Sequence, residues 1–289
     1  METEFAELKK QVAALQKELS RVSDEAEVRK VHFKYGYYLD KSLFDECVDM
    51  FSDHPDTYVE FLGARYCGKD SIRRLYKGVF GEQFVGSRNG PVHGFLDDHL
   101  MMQDIVDVDF TGTHAWGRIR MFTQAGTHES IKDKYPKGQL QWWEGGLYEN
   151  EYIKENGLWK LFRYRFFPHY NASYEKGWSF TPLEHPLFLK RTYPEDPTGP
   201  DEFIEQRLQW PDTRVVPFHY PHPVTGKRIN EDDLRAPNYG EDVSTAEKPL
   251  TLELPKDQKR EGAQKGITET KGGTKILPEL VEHKHEVEE

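Results

Sequence analysis

The sequence predicts an α+β domain in which helices come first and a run of long antiparallel strands follows. Three observations carry this expectation. Residues 4–30 contain no Gly or Pro and are rich in Ala, Leu, Glu and Lys. Four segments, His99–Val108, Ala115–Gln124, Leu140–Lys154 and Trp159–Phe167, read as long strands. Asn156-Gly157 stands between the last two and is a strong two-residue hairpin signal.

In order along the chain, Leu8, Val12, Leu15, Leu19 and Val22 alternate four and three apart, which is a heptad seam. Two heptads fit a short coiled coil, and they equally fit an amphipathic arm packed on its own domain or on a neighbouring subunit. Asp24 followed by Glu27 resembles a capping box, so a second helix is expected from there. Its apolar side would be Val28, Val31, His32, Tyr35 and Leu39. Leu43–Phe51 reads as a short helix ended by His54-Pro55, and Tyr58–Phe61 as a strand with a turn at Gly63. Asp70–Tyr76 reads as a helix entered after Gly68, and residues 78–94 as a Gly-rich loop.

After Gly177 the composition turns Pro-rich and aromatic, and such a segment cannot build a regular sheet. Burying its aromatics is favourable, so an ordered arm wrapping the domain or an adjacent subunit is expected. Beyond Tyr239 there are no aromatics, and a disordered or loosely attached tail is expected. The chain thus divides into a helical arm (1–24), a folded domain (25–178), a Pro/aromatic arm (179–240) and a charged tail (241–289).

Composition narrows the function. The 289 residues carry 39 Lys+Arg against 50 Asp+Glu, a formal charge of −11. With no basic stripe, nucleic acid is not an expected partner, and neither is an anionic membrane. No apolar run reaches the roughly 18 residues of a membrane span, and the N-terminus lacks the apolar core of a signal peptide. A cytoplasmic protein is expected. Cys47 and Cys67 are too few for a disulfide framework or a thiolate cluster, and both are expected to be reduced, buried thiols. There is no phosphate-cradling Gly loop, GxSxG elbow or HExxH. His219 and His222 lie close together without an acidic or Cys ligand set nearby in sequence. No cofactor or metal is expected.

Three places could carry chemistry. Tyr35 and Asp40 close the second helical segment. At 100° per residue they are about 140° off a common face, but a helix ending near Leu39 would let Asp40 turn back toward the same cavity. A carboxylate there opposes the helix dipole, which a functional constraint would explain; alternatively, Asp40 caps the next helix. His99 shares a strand face with Met101, Gln103 and Ile105, a pattern of few polar groups among apolar ones that fits a pocket wall or a satisfied core histidine. Arg163, or Arg165 on the same face, could hold a carboxylate or an oxyanion; equally, it is a surface cation near Glu151 or Glu155. The aromatic count (17 Phe, 15 Tyr, 6 Trp) supports an aromatic-lined pocket with Phe95, Trp142 and Trp143 as walls.

The order of these pieces resembles a known family. Tyr35-x4-Asp40 is followed by Gly63-Ala64-Arg65-Tyr66-Cys67-Gly68-Lys69-Asp70-Ser71-Ile72, then by His99-Leu-Met-Met-Gln103-x-x-Val-Asp-Val108, Gly146-Leu147-Tyr148 and Gly157-Leu158-Trp159-Lys160-Leu161. Over about Glu25–Trp178 this is similar to the SnoaL-like branch of the NTF2-like superfamily. That resemblance implies a cone-shaped α+β barrel, with helices packed on a curved antiparallel sheet and a deep pocket. The branch includes scytalone dehydratase, bile-acid 7α-dehydratase and hexachlorocyclohexane dehydrochlorinase. It implies cofactor-free proton transfer and elimination, often in homotrimers, with an Asp–His pair at its centre. By this resemblance Tyr35, Asp40 and His99 would be catalytic and Arg163, or its neighbour Arg165, would match a late-strand arginine; from the residues themselves Tyr37, Tyr38, Gln103, Trp142 and Trp143 are expected to bind substrate beside them. The two arms look similar to longer bacterial homologues that release formaldehyde from lignin-derived diarylpropanes. A lyase acting on a bulky hydroxylated aromatic is the expectation. A ketosteroid-type isomerase and a non-catalytic binding protein are the rivals.

Overall fold

The opening helix does not break at Asp24. It runs from Glu2 to Leu39 (α1) in this computed structural model, which describes residues 2–131, 141–181, 189–205 and 209–229. Asp24 does not cap a new helix. Its carboxylate accepts hydrogen bonds from Lys154 Nζ at 2.5 Å and Trp159 Nε1 at 2.9 Å, pinning the helix to the sheet. Residues 2–23 are exposed throughout, and the buried face begins at Asp24 and continues through Val28, His32, Tyr35 and Leu39. His32 is fully enclosed, and burial lowers its pKa to about 3. It therefore stays neutral, with Nδ1 3.0 Å from the Tyr152 hydroxyl.

Short elements follow: α2 (Phe44–Asp49), the hairpin β1 (Tyr58–Phe61) and β2 (Ala64–Cys67), and α3 (Gly68–Arg73). The loop expected from residue 78 onward is helical as far as residue 85. A wider π-type winding spans Arg74–Gly81 and leads into α4 (Glu82–Val85). Each glycine in a helix interior costs about 1 kcal/mol relative to alanine. Aromatic packing offsets this, because Phe80 packs edge-on against Phe61 and Phe84 stacks on Phe95, at 5.3 and 5.5 Å between ring centroids. Gly78 is also required by close approach, since a Cβ there would come within 2.8 Å of Thr198.

The sheet is formed by β3 (Phe95–Val108), β4 (His114–Thr127), β5 (Gln141–Glu155), β6 (Leu158–Ser173) and a two-residue β7 (Glu202–Phe203), together with β1 and β2. Its order is β3-β4-β5-β6-β1-β2-β7, antiparallel except where β1 runs parallel to β6. The sheet stays open and bends around α1, α2 and the 68–85 helices, so its concave face and those helices share one apolar core. Asn156 (φ 51°) and Gly157 (φ 80°) make the expected tight turn between β5 and β6.

The described parts of the Pro-rich arm pack on their own domain. β7 pairs with β2, Asp201 accepts from the Cys67 N–H at 2.6 Å and from Arg74 Nη2 at 2.7 Å, and the Val216 carbonyl accepts from Arg118 Nη2 at 2.7 Å. The 230–289 stretch, with the expected tail and the boundary at 240, lies outside the described residues. Of the two cysteines, Cys47 is buried, whereas Cys67 is exposed at the end of β2, contrary to expectation. No described helix is long and apolar enough to cross a membrane.

Candidate active site

A cavity of about 590 Å³ opens between the concave face of the sheet and the helices. Its polar residues are set by strand register. His99 on β3 pairs with Thr123 on β4, Thr123 with Glu144 on β5, and Glu144 with Asn171 on β6. All four line the cavity, forming one polar row across four strands. The next row holds Asp97, Trp142 and Ser173, joined through Ala125. Phe44, Phe80 and Phe84 from the helices, with Phe61 from β1 and Phe180 from the turn after β6, supply aromatic walls.

Asp40 reaches His99 from the C-terminal end of α1. Its Oδ1 accepts from the His99 backbone N–H at 2.8 Å and from ring Nδ1 at 2.9 Å. This second bond leaves Nε2 as the ring nitrogen free to serve the cavity. Asp40 does not line the cavity and meets it only through His99. Asp97 Oδ1 lies 3.6 Å from the same Nδ1. Burial by itself would lower the His99 pKa, but the charges of Asp97 and Asp40 and the Asp40 hydrogen bond overcome it and raise it to about 9. The ring is therefore an imidazolium at neutral pH. Burial raises Asp97 to about 6 against the pull of His99. Burial also raises Glu144 to about 7, and its Oε1 has no hydrogen-bond partner among the described residues. Tyr35 and Tyr76, both on the cavity, share a hydrogen bond of 2.5 Å between their hydroxyls, and burial keeps both phenols protonated.

Of the residues singled out from sequence, Tyr35, His99 and Trp142 line the cavity, and Asp40 supports one of them. The others lie elsewhere. Tyr37 is 75% exposed, and Tyr38 packs part-buried against the core away from the cavity. Gln103 sits at a β-bulge with φ 48° and is exposed. The bulge inserts a residue, so the inward alternation 97, 99, 101 resumes at Val106, and Ile105 points outward as well. Trp143 neighbours Trp142 on one strand and must face the opposite side, where it meets Phe122 and Tyr174. Phe95 backs the wall through Phe84 and Trp142. Arg163 and Arg165 both pair with Glu151, at 3.4 and 3.3 Å, away from the cavity. His219 bridges Glu149 and Asp107, and no group of three or more His, Cys, Asp or Glu among the described residues could hold a metal ion.

Asp97 and Glu144 escaped the sequence reading, although alternation could have found them. Asp97 is two residues before His99, on a strand that starts four residues earlier than expected. Glu144 occupies the inward set Trp142, Glu144, Gly146, Tyr148.

A family model described as a SnoaL-like domain matches residues 20–165, about half of the chain. No curated protein matches the sequence. The chain is similar to a solved structure of a putative scytalone dehydratase from Novosphingobium aromaticivorans DSM 12444, at 17% identity over 60% of this chain and 98% of that one, with a TM-score of 0.44. It is also similar to hexachlorocyclohexane dehydrochlorinase LinA-type3 from Novosphingobium barchaimii LL02, at 15% identity over 54% and 92%, with a TM-score of 0.42.

Proposed function

The chain belongs to the SnoaL-like domain family, and from that premise we propose that it is a cofactor-independent lyase working by proton transfer from an Asp40-positioned His99. The observation carrying this reading is the 2.9 Å contact of Asp40 with His99, on the wall of an aromatic cavity whose polar row also holds Glu144. An elimination moves two protons, one to the leaving group and one from the substrate. His99 in its charged form is the donor, and Glu144, once ionised, is the acceptor. They stand two strands apart in that row, about 10 Å between backbones. That leaves room for one aromatic ring between donor and acceptor.

The proposed substrate is a bulky hydroxylated aromatic such as a lignin-derived diarylpropane diol, and the leaving groups are water and formaldehyde. A cavity of about 590 Å³ is of the size that encloses such a molecule. In the first step His99 gives its proton to the benzylic hydroxyl, the C–O bond breaks, and Glu144 takes the proton of the para phenol. The product is a quinone methide. In the second step the terminal hydroxymethyl gives its O–H proton to neutral His99, the C–C bond breaks and formaldehyde departs. The released electron pair restores the aromatic ring, and the phenolate recovers its proton from Glu144. Diol becomes stilbene, water and formaldehyde, with His99 and Glu144 back in their starting states. The Tyr35 and Tyr76 hydroxyls would hydrogen-bond a substrate oxygen.

Incubation of the protein with a diarylpropane diol, read by product mass and formaldehyde release, tests the reading. His99→Ala should lower kcat by about 10²–10⁴-fold, the span of a placed acid or base. Full rate in a folded His99→Ala variant would refute it. A product isomeric with the diol would point to the isomerase class instead.

A further inference from the structure

The N-terminal arm carries an unused surface that is independent of the cavity. From Glu2 to residue 23 every residue is exposed, although the segment continues the same helix that enters the core at Asp24. About 20 helical residues, roughly 30 Å at 1.5 Å per residue, therefore stand off the domain. In proteins a helix gains most of its stability by packing an amphipathic face and less from intrinsic propensity. The face is present. Phe5, Leu8, Val12, Leu15, Leu19 and Val22 follow one another at intervals 3-4-3-4-3 and are 44–70% exposed.

We propose that this arm forms a parallel, in-register coiled coil with the same arm of other copies of this chain. Intervals of three and four make Phe5, Val12 and Leu19 the a positions and Leu8, Leu15 and Val22 the d positions of one heptad frame. The flanking positions choose both the partner and its direction. Glu4, Gln11 and Glu18 fall at g, and Lys9, Gln16 and Ser23 at e. In a parallel pair, each g residue meets the e residue five positions on in the partner. The pairs are Glu4 with Lys9, Gln11 with Gln16, and Glu18 with Ser23, so the one doubly charged pair is attractive. In an antiparallel pair, g meets g, which sets Glu4 against Glu18 twice. The seam is thus complementary to itself in one orientation and repulsive in the other. The mixture of Phe, Val and Leu at a, with Leu and Val at d, leaves two or three strands open. Because α1 is unbroken, such a coil would also fix the angle at which two cavities are held, since the helix that carries the seam carries Tyr35.

The test uses the full chain. Sedimentation velocity should give a mass that is a multiple of the 33.8 kDa protomer, and Leu8→Glu with Leu15→Glu should reduce it. An unchanged mass in that double variant, or a monomeric parent, would overturn the proposal. Direction is read by disulfide trapping in a Cys67→Ser background. Leu8→Cys and Leu15→Cys should each cross-link to their own kind under mild oxidation, and outward-facing Ala13→Cys should not. Equal trapping of all three would overturn the seam. Trapping only between Leu8→Cys and Leu19→Cys chains would overturn the parallel orientation. None of these readouts depends on turnover, so they stand or fall apart from the proposed reaction.

Discussion

Replacing Glu144 by Gln should make the protein more stable at alkaline pH and leave it catalytically crippled. Burial raises the Glu144 pKa from an ordinary 4.5 to about 7. A carboxyl whose pKa is higher in the folded state contributes stability that is whole below about pH 4.5. That contribution is lost as pH rises through about 7, because the fold then has to hold a charge it solvates poorly. The difference between 4.5 and about 7 is worth about 3 kcal/mol. Glutamine fills nearly the same volume, keeps an acceptor and a donor for Asn171, and cannot ionise. Urea unfolding of Glu144→Gln and the parent should therefore coincide near pH 4. At pH 8 the variant should lead by about 1–3 kcal/mol, the upper end being the full linkage and the lower end allowing for water that enters the cavity with the charge. Each kcal/mol is worth about 2–4 °C in Tm for a domain of this size. A stability difference that stays constant from pH 4 to pH 8 would refute the argument. It would mean that the Glu144 charge is as well solvated in the folded protein as in the unfolded chain.

The same groups set two further expectations, and a close backbone contact sets a third. Glu144 as base works above about pH 7 and His99 as acid below about pH 9, so kcat/KM on a substrate of the proposed class should trace a bell centred near pH 8. Asp40→Asn removes the carboxylate bonded to Nδ1. The His99 ring, followed by NMR titration, should then titrate at least one unit lower, and the alkaline limb of the bell should move down with it. Gly146→Ala should cost about 1–3 kcal/mol in denaturant unfolding, because a Cβ there would sit 2.5 Å from the Phe167 carbonyl oxygen and 2.8 Å from the Phe166 ring.

Much of the fold is legible in the sequence wherever periodicity is long. Val28, His32, Tyr35 and Leu39 recur at helical spacing and are buried, and the four long strands fall where alternation and Asn156-Gly157 place them. The misreadings share a physical origin, which is that tertiary packing overrides a local signal. Asp24 looks like a cap because its type and spacing fit one, but its carboxylate answers Lys154 and Trp159, more than 100 residues away. Gly78 and Gly81 look like loop residues, yet Phe80 and Phe84 hold that stretch helical. Gln103 reads as sharing a face with His99 only while alternation is extended through a bulge that a positive φ betrays. Arg163 fits an anion site in composition, but its nearest acid, Glu151, lies across one strand pair on the outer side.

The polar row explains why the helical half and the sheet half are both needed. Strand register alone brings His99, Thr123, Glu144 and Asn171 into line, and it would do so in any protein with these pairings. Register cannot decide which of them carries a proton. That depends on Asp40, delivered by the end of α1, and on burial by the helices that close the cavity. Asp40 and Asp97 hold His99 charged, while the same enclosure keeps Glu144 neutral up to about pH 7. The two groups are thus driven to opposite preferences by one environment, the imidazole toward its charged form and the carboxyl away from its own. A carboxylate that is costly to ionise is a stronger base once ionised, so the burial that should weaken the fold at pH 8 is also what would equip Glu144 to take a phenol's proton in the proposed reaction. Opening the cavity by removing Phe44 or Phe80 should therefore lower the Glu144 pKa and slow the reaction together. A variant that solvated Glu144 without loss of rate would separate the two effects and show that its basicity does not come from enclosure.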